Sequence, residues 1–368
     1  MPVRPDLLKD IRFRIAGIFL VVCLAAAFLF LIGQHGDPKA FIFHGTIFDG
    51  VQGGSIGYDG QFAYAIASDF SGARQWLPER AYRYQRILYP LLAGILSLGQ
   101  ITWLPWTMVL VNVAALAASG WLLADLLVSR QANAWFSLVF LAFGGFLFVL
   151  FMDLNEPLAF FLVLLGLKFF DQGKLWLSGL AFSLGGLTKE VALIFAAAVA
   201  AYLLVNSRNW RGALKVLGVS LVVYSLWAAI VSAWLGDTIF QARMSRIEVI
   251  PFSGLWFVND APGLTIDLLW IAGPALIAGA VVLIDWWKSK KISLEMVLVL
   301  ANVALIAFMP RFTWVDWIAT LRLGIGLVIA CLLYFALHGG RVGFLLSALW
   351  SSSVFLPIVF AVNLAAIR

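Results

Sequence analysis

Long apolar runs, each ended by a short polar interruption, set the pattern of this chain. A run of about 20 apolar residues forms a helix that crosses the ~30 Å hydrocarbon core of a bilayer, and a shorter run needs local thinning or a broken helix. The pattern predicts eleven membrane-spanning helices. The expected spans are residues 13–33, 104–128, 134–152, 157–170, 175–188, 190–206, 213–235, 266–286, 293–310, 317–337 and 342–364.

Two shorter apolar stretches are predicted not to cross the membrane. Residues 60–68 are typical of a short amphipathic helix that begins after Asp59. Residues 87–98 form a helix of roughly 18 Å at 1.5 Å per residue, which is much shorter than the bilayer core. Both stretches belong to a long polar loop at residues 34–100, and a second polar loop covers residues 236–265.

Composition places the chain among membrane proteins. Hydrophobic residues make up 63% of the sequence and charged residues only 12%, which excludes a soluble globular domain. The predicted fold class is an all-α, polytopic integral membrane protein that forms one domain over residues 1–368. Cys23 and Cys331 lie in apolar runs and offer no disulfide framework. The three histidines show no spacing typical of metal ligands, so no metal or other cofactor is indicated. They are His35, His44 and His338.

The distribution of charge predicts the orientation of the chain. With the N-terminus inside, the inner loops hold 14 Lys and Arg against 6 Asp and Glu, whereas the outer side holds 11 against 13. This asymmetry agrees with the positive-inside rule. The net charge of +6 is scattered over helix ends, so no nucleic-acid partner is expected. The first apolar run is too long for a signal peptide, and no Asn-x-Ser/Thr sequon occurs. We therefore expect a bacterial plasma (inner) membrane, or the endoplasmic reticulum if the source is eukaryotic.

Asp59 is the first candidate for catalysis. A carboxylate at the outer membrane surface can accept a proton from an acceptor hydroxyl as that oxygen attacks a sugar, and such assistance is worth ~10²–10⁴-fold in rate. Asp before a helix is also a favourable N-cap, so capping is the alternative role. Its neighbours Tyr58 and Gln61 are candidates for substrate binding, and Asp69 is expected to end the short helix.

Several arginines are candidates for binding a phosphate group. Arg83 and Arg86 lie three residues apart, which puts both on one helix face, and guanidinium groups suit bidentate phosphate binding. Arg322, at the outer end of a late span, is a third candidate. For each of these residues the alternative is snorkelling to lipid headgroups. Arg243 and Arg246 in the second outer loop are either surface charges or part of an acceptor-binding segment.

Two short turns supply the remaining candidates. Asp153 and Glu156 precede Pro157 and are expected to hold sugar hydroxyls, bind a metal or restrict the protonation of the base; helix capping is the alternative. Lys189 and Glu190 lie within an otherwise apolar region, where charges are expensive and usually functional. Their alternative is a mutual ion pair that closes a tight hairpin.

Four short elements occur in an order that resembles a known family of membrane enzymes. The first reads Tyr-Asp-Gly-Gln-Phe-Ala-Tyr-Ala-Ile-Ala from Tyr58, and the second reads Arg-Ile-Leu-Tyr-Pro-Leu-Leu from Arg86. The third reads Asn-Glu-Pro-Leu-Ala-Phe-Phe from Asn155, and the fourth reads Gly-Leu-Thr-Lys-Glu from Gly186. Together they resemble the GT-C fold glycosyltransferases, and most of all the PIG-V-like mannosyltransferases, over about residues 10–205.

The resemblance implies a function as well as a fold. It implies a GT-C-like arrangement with juxtamembrane helices in the first outer loop, and a polyprenyl-phosphate-linked sugar as donor. A hexose similar to mannose would move, with inversion, to a glycan, lipid or protein acceptor on the extracytoplasmic face, with Asp59 as the base. Tyr58 stands where the family has Trp, so the resemblance leaves the identities of the sugar and the acceptor open.

Two other classes of protein compete with a transferase. A flippase for lipid-linked sugars, or another transporter, also needs charges among apolar helices, but it should carry them near the bilayer midplane along a path. A non-enzymatic assembly subunit needs no carboxylates and cations spread over four segments. The charges of this chain are predicted to gather at one membrane surface, which favours the transferase.

Overall fold

The computed structural model describes residues 5–46, 54–242 and 246–367, and these ranges contain helices and no strand. The all-α prediction is confirmed for this part of the chain, whereas Arg243 lies outside it. The first ten helices are α1 (Pro5–Gly33), α2 (Gly60–Ser68), α3 (Arg80–Tyr84), α4 (Leu88–Leu96), α5 (Leu104–Ser129), α6 (Ser137–Ala142), α7 (Gly144–Phe151), α8 (Glu156–Asp171), α9 (Leu175–Thr188) and α10 (Leu193–Ser207). The remainder are α11 (Trp210–Leu235), α12 (Ala261–Ser289), α13 (Leu294–Ala307), α14 (Arg311–Val315), α15 (Trp317–His338), α16 (Arg341–Ser352) and α17 (Phe355–Ile367).

Seven helical segments of the described chain are long and apolar enough to cross a membrane. The helices α6 and α7 meet at 57° and would together form an eighth span. The predicted spans at residues 157–170, 175–188 and 293–310 correspond to the shorter helices α8, α9 and α13. The membrane-embedded character is therefore supported, and the count of eleven crossings stays a prediction.

The break between α6 and α7 has a local cause. Phe143 adopts an extended backbone (φ −72°, ψ 126°), and the Gly144 amide that follows donates to the Ser353 hydroxyl at 2.7 Å. A side chain at Gly144 would also meet the carbonyl oxygen of Ser353, because a Cβ there would lie 2.3 Å from it. The chain bends here because a residue about 200 positions later occupies the space beside Gly144.

Helix α15 lies at the centre of the bundle. Nearly all of its side chains are buried, and it packs against α7, α12 and α13. Its position brings Arg322, which lies in its second turn, into the interior of the protein. Helices α2 and α4 pack together beside α5, and α4 has nine residues, or about 13 Å of helix. This length is well short of a bilayer core.

Ion pairs join the ends of several helices at the end of the bundle that lies opposite the start of α8. Asp125 of α5 pairs with Arg12 of α1 at 2.7 Å and with Lys168 of α8. Arg130 pairs with Asp171 at 2.5 Å and with Glu295 at 2.9 Å. Helix α8 runs from Glu156 to Asp171, about 24 Å at 1.5 Å per residue, so these pairs lie far from the residues at its start.

Candidate active site

Four cations and three carboxylates from separate parts of the chain meet at the start of α8, and we call this set the charge cluster. They are Asp59, Arg83, Arg86, Glu156, Lys189, Glu190 and Arg322. All seven were expected at the site from the sequence. The structure brings them into one network of direct ion pairs.

The side chain of Asp59 pairs with arginines and does not cap the amides of a helix. Its carboxylate contacts Arg83 Nη1 at 2.8 Å, Arg322 Nη2 at 3.0 Å and Arg86 Nη1 at 3.9 Å. Asp59 has an α-helical backbone conformation, and its side chain makes no capping hydrogen bond to α2. The capping alternative is therefore not the one that the structure shows.

The position of Asp59 depends on the glycine that follows it. A Cβ at Gly60 would lie 2.2 Å from the carbonyl oxygen of Met152, so only glycine lets the chain approach this closely. Gly60 opens α2, and α2 rests on the turn between α7 and α8. That contact places Asp59 beside Glu156, which opens α8.

Glu156 is the most deeply buried member of the cluster. Its Oε1 accepts from Arg322 Nη2 at 2.6 Å and lies 2.9 Å from Lys189 Nζ, while its Oε2 has no partner within the described residues. Because Arg322 contacts both Glu156 and Asp59, it bridges two of the three carboxylates. A buried charge of this kind is tolerated only when it is paired.

Lys189 and Glu190 are not a mutual ion pair. Glu190 accepts from Arg86 Nε at 2.9 Å and from Arg86 Nη2 at 2.6 Å, which is a two-point contact with the planar guanidinium. Lys189 turns instead to Glu156. The extended backbone at Lys189 (φ −155°, ψ 122°) ends α9 and lets these consecutive side chains serve different partners.

The cations of the cluster do not snorkel to the membrane surface. The Arg83, Arg86, Lys189 and Arg322 residues are only 3% to 7% exposed. Aromatic rings lie beside the three guanidinium groups. The contacts are Arg83 with Phe62 at 4.0 Å, Arg86 with Tyr82 at 4.4 Å and Arg322 with Tyr58 at 5.0 Å.

The cluster shifts the pKa values of its members. Burial raises the pKa of Asp59, but the charges of Arg83, Arg322, Lys189 and Arg86 lower it by more than burial raises it. The pKa of Asp59 therefore lies well below its usual range. Asp59 is therefore ionised at neutral pH. Burial and the neighbouring Arg86 charge lower the pKa of Lys189.

Three predicted site residues lie beside the cluster or apart from it. Tyr58 donates from its hydroxyl to Asp316 at 2.6 Å. Gln61 accepts from the Gly45 amide and donates to the Ile56 carbonyl, both at 2.9 Å, so its polar groups hold the loop before α2. Asp153 is fully buried and joins no cation of the cluster.

Two cavities open onto the charge cluster. The smaller has about 320 Å³ of empty space between α2 and the cations, and Asn155 also lines it. The larger has about 1520 Å³ including its open mouth, and Tyr58 and Asp316 lie on its wall. Asp59, Arg83, Lys189 and Arg322 line both. A ligand in either cavity would therefore meet the cations and Asp59 together.

An apolar groove begins one turn of α8 away from the cluster. It has about 1170 Å³ of empty space between α4, α5 and α8, and apart from Thr107 all its lining residues are apolar. Leu158 lines this groove, and Asn155, three residues earlier, lines the smaller cavity. Ala63 lines the smaller cavity and packs in the same apolar cluster as Leu158.

The structure adds residues that the sequence did not single out. Phe62 and Tyr82 cover arginines, and Tyr82 also receives a hydrogen bond from Arg86. Asn155 donates to the Thr188 carbonyl at 3.1 Å and so ties the α8 turn to the Lys189 turn. Asp316 caps α15 through the Ile318 amide and also receives the Tyr58 hydroxyl. Only their closeness in sequence to predicted site residues pointed to them.

Comparisons of the chain with models of protein families, with curated proteins and with solved structures find no match. In the described residues, no group of three or more His, Cys, Asp or Glu side chains is arranged to hold a metal ion. The carboxylates of the cluster instead face cations. The functional argument therefore depends on the site itself.

Proposed function

We propose that this protein is a membrane glycosyltransferase that takes a hexose from a polyprenyl-phosphate sugar and passes it to an acceptor at the extracytoplasmic face. The observation that carries the proposal is the unequal charge of the cluster. Four cations, all of them buried, against three carboxylates leave one positive charge at the site. The next carboxylate, Asp316, binds the Tyr58 hydroxyl.

A polyprenyl-phosphate sugar carries the complementary charge. Its phosphate is a diester with a single negative charge, so binding it would bring the cluster to neutrality. The guanidinium groups of Arg83, Arg86 and Arg322 can each offer a two-point contact to phosphate oxygens. Hydrogen bonds to charged groups contribute about 1.5–3 kcal/mol each. A diphosphate donor carries more negative charge than the single excess positive charge of the cluster. The charge of the cluster therefore favours a monophosphate donor.

The apolar groove supports the same class of donor. The groove lies next to the cluster, and its lining follows α5 from Thr107 to Ala118. A polyprenyl chain there would bury apolar surface, which contributes about 25 cal/mol per Å². The phosphate would then lie at the cations and the sugar in the wide cavity beside Asp59.

Asp59 is the proposed base. The acceptor hydroxyl gives its proton to the Asp59 carboxylate as the acceptor oxygen bonds to the anomeric carbon from the face opposite the phosphate. The bond from that carbon to the phosphate oxygen breaks, and the phosphate leaves with the electron pair. The cations stabilise this charge, so no general acid is needed. Attack from the opposite face inverts the anomeric configuration.

Donor binding would also activate this base. The arginines hold the pKa of Asp59 low, which makes it a weak proton acceptor. A phosphate that recruits Arg83 and Arg322 weakens their hold on Asp59. The pKa of Asp59 then rises towards the range in which a carboxylate accepts a proton effectively.

A transporter remains the second candidate, and the arrangement of the cluster weighs against it. Transport of a lipid-linked sugar requires polar groups along a path through the membrane. The cluster lies at the start of α8, and the next ion pairs made by α8 lie about 24 Å away at its other end. Its cations are locked to carboxylates rather than spaced along a route.

The deciding experiment uses the purified protein in lipid nanodiscs with a panel of polyprenyl-phosphate sugars. Release of polyprenyl phosphate with one sugar is expected, and it should disappear in Asp59→Asn. Asp69→Asn serves as the matched control, because Asp69 ends α2 and binds the Gly72 amide outside the cluster. Movement of intact donor across liposomes without any release of polyprenyl phosphate would replace the transferase by the transporter.

A further inference from the structure

Asp153 differs from every carboxylate of the charge cluster. It is 0% exposed and lies on the turn between α7 and α8, where no ion pair with it occurs among the described residues. Its Oδ1 accepts from the Tyr89 hydroxyl at 2.9 Å and from Asn112 Nδ2 at 3.1 Å. An ionised carboxylate in such a place would be a buried charge with neutral partners only, which is costly.

Two oxygen atoms in this network have no hydrogen-bond donor. They are Asp153 Oδ2 and Asn112 Oδ1, and both residues are fully buried. Because Asn112 Nδ2 already bonds Asp153 Oδ1, the carboxyl and the carboxamide face each other with one bond made. A single proton on Asp153 Oδ2, donated to Asn112 Oδ1, would give both oxygens a partner. The result is the paired ring that a carboxylic acid forms with an amide.

We propose that Asp153 carries a proton in the folded protein, shares it with Asn112, and acts in this neutral form as a positioning residue for the charge cluster. This role differs from direct contact with sugar hydroxyls, which the sequence suggested. The groups that face it are the Tyr89 hydroxyl from α4, Asn112 from α5 and the backbone of Gly60 from α2. The Tyr89 hydroxyl also bonds the Met108 carbonyl at 3.1 Å.

The turn that holds Asp153 supports three parts of the cluster. Gly60, next to Asp59, lies against the carbonyl groups of Met152 and Asp153. Asn155 holds the Thr188 carbonyl beside Lys189, and Glu156 itself belongs to the cluster. Asp153 adopts a left-handed backbone conformation (φ 52°), which is strained for a residue with a side chain. The side-chain network stabilises this conformation and so fixes the turn.

The direction of pH dependence follows from burial. Burial raises the pKa of Asp153 to about 7, although the hydrogen bonds from Tyr89 and Asn112 lower it in part. The unfolded chain has the ordinary, lower Asp pKa of about 3.9. The stability that the proton confers is therefore fully present below that lower value, declines as pH rises between the two, and is lost above about pH 7. Tyr89 stays neutral throughout, because burial raises its pKa well above the ordinary value.

The test compares the wild type with Asp153→Asn and Asp153→Ala. Asparagine keeps the shape and donates an N–H to Asn112 Oδ1 at every pH, so it should replace the protonated acid. Infrared difference spectra across a pH titration should show a carboxylic-acid band that vanishes near pH 7 and that remains when the spectrum of Asp153→Asn is subtracted from that of the wild type. The subtraction removes the contribution of buried Asp267, whose carboxyl oxygens also lack a hydrogen-bond partner among the described residues. In Asp69→Asn, the exposed control, the band should remain.

Stability and activity give independent readouts. The melting temperature of the wild type, relative to that of Asp153→Asn, should fall as pH rises from 5 to 8, and Asp153→Ala should melt below both at low pH. The activity arm rests on the proposed function: Asp153→Asn should keep wild-type turnover and remove its alkaline decline, while Asp153→Ala should lose roughly tenfold.

Two results would overturn the proposal. One is a wild type without the acid band at pH 5, and the other is an Asp153→Asn protein that melts as low as Asp153→Ala. Neither measurement needs a substrate. A protein that shows the band but transfers no sugar would refute the proposed function and leave the assignment of the proton intact.

Discussion

At the residue scale, the pairing of Asp59 with two arginines argues against capping and is compatible with the proposed role as base. A cap would aim its oxygens at helix amides, whereas both Asp59 oxygens meet guanidinium groups on a cavity wall. The Asp59 side chain is also accessible, at 27% exposure against 1% for Glu156. An acceptor hydroxyl can reach the first but not the second.

Replacement of Asp59 by asparagine tests its role as base. The side chain keeps its shape but loses its charge and its ability to take a proton, so we expect turnover to fall by ~10²-fold or more. Steady-state kinetics with the active donor measures this, and a melting curve shows whether folding is retained. Near-wild-type turnover would remove Asp59 from the chemistry.

Arg86 provides the corresponding test of phosphate binding. Lysine keeps the charge but cannot reproduce the planar two-point contact, so Arg86→Lys should weaken donor affinity by roughly ten- to a hundredfold. Lys189→Ala should weaken it to a similar extent. Arg80→Lys is the matched control, since Arg80 pairs with Asp237 outside the cluster. Unchanged donor affinity in both site variants would rule out the phosphate-binding role.

The sequence predicted the members of the cluster better than their contacts. Residue type and position at helix ends identified all seven, because charges next to apolar runs are conspicuous. The partners were not predictable: Lys189 and Glu190 are adjacent in sequence, yet each pairs with a residue elsewhere. Asp153 was grouped with Glu156 because they share a turn, but the two side chains enter different surroundings.

At the element scale, apolar periodicity located helices well and their breaks poorly. The short helix predicted at residues 60–68 is α2, and Asp69 follows it as predicted. The bend at Phe143 escaped prediction because its cause, Ser353, lies far along the chain. The π-helical turn at residues 267–272 left no recognisable signal in the sequence either.

The groove between α4, α5 and α8 gives a prediction at this scale. Ala114→Trp should fill part of the groove and raise KM roughly tenfold for a long-chain polyprenyl donor, because several buried CH₂ groups of ~0.8 kcal/mol each lose their place. A donor with a short lipid should be nearly unaffected. Ala229→Trp, on the exposed face of α11, is the matched control. An equal effect on both donors would show that the groove does not hold the chain.

At the scale of the whole molecule, the ion pairs lie at two opposite ends of the helix bundle. Asp59 and Glu156 both pair with Arg322, and Glu156 also pairs with Lys189. The loops that carry these residues therefore lie on one side of the membrane. The Asp125 and Arg130 ion pairs occupy the far ends of α5 and α8. Positive charge in the inner loops is the only feature that assigns these two poles to the cytosol and the exterior.

Cysteine labelling in intact cells tests this assignment. Gln75 lies in the loop before α3, which is predicted to be outside, and Gln172 lies between α8 and α9; both are exposed. A membrane-impermeant thiol reagent should label Gln75→Cys from outside and Gln172→Cys only after the cells are opened. Cys23 and Cys331 are buried and should give little background.

Labelling of both positions from outside would contradict the predicted topology. It would mean that the number of crossings between them is even rather than odd, and a membrane crossing by α4 would be the first explanation to test. Labelling of Gln172 alone would invert the protein and place the charge cluster in the cytosol, where a nucleotide sugar would become the more fitting donor.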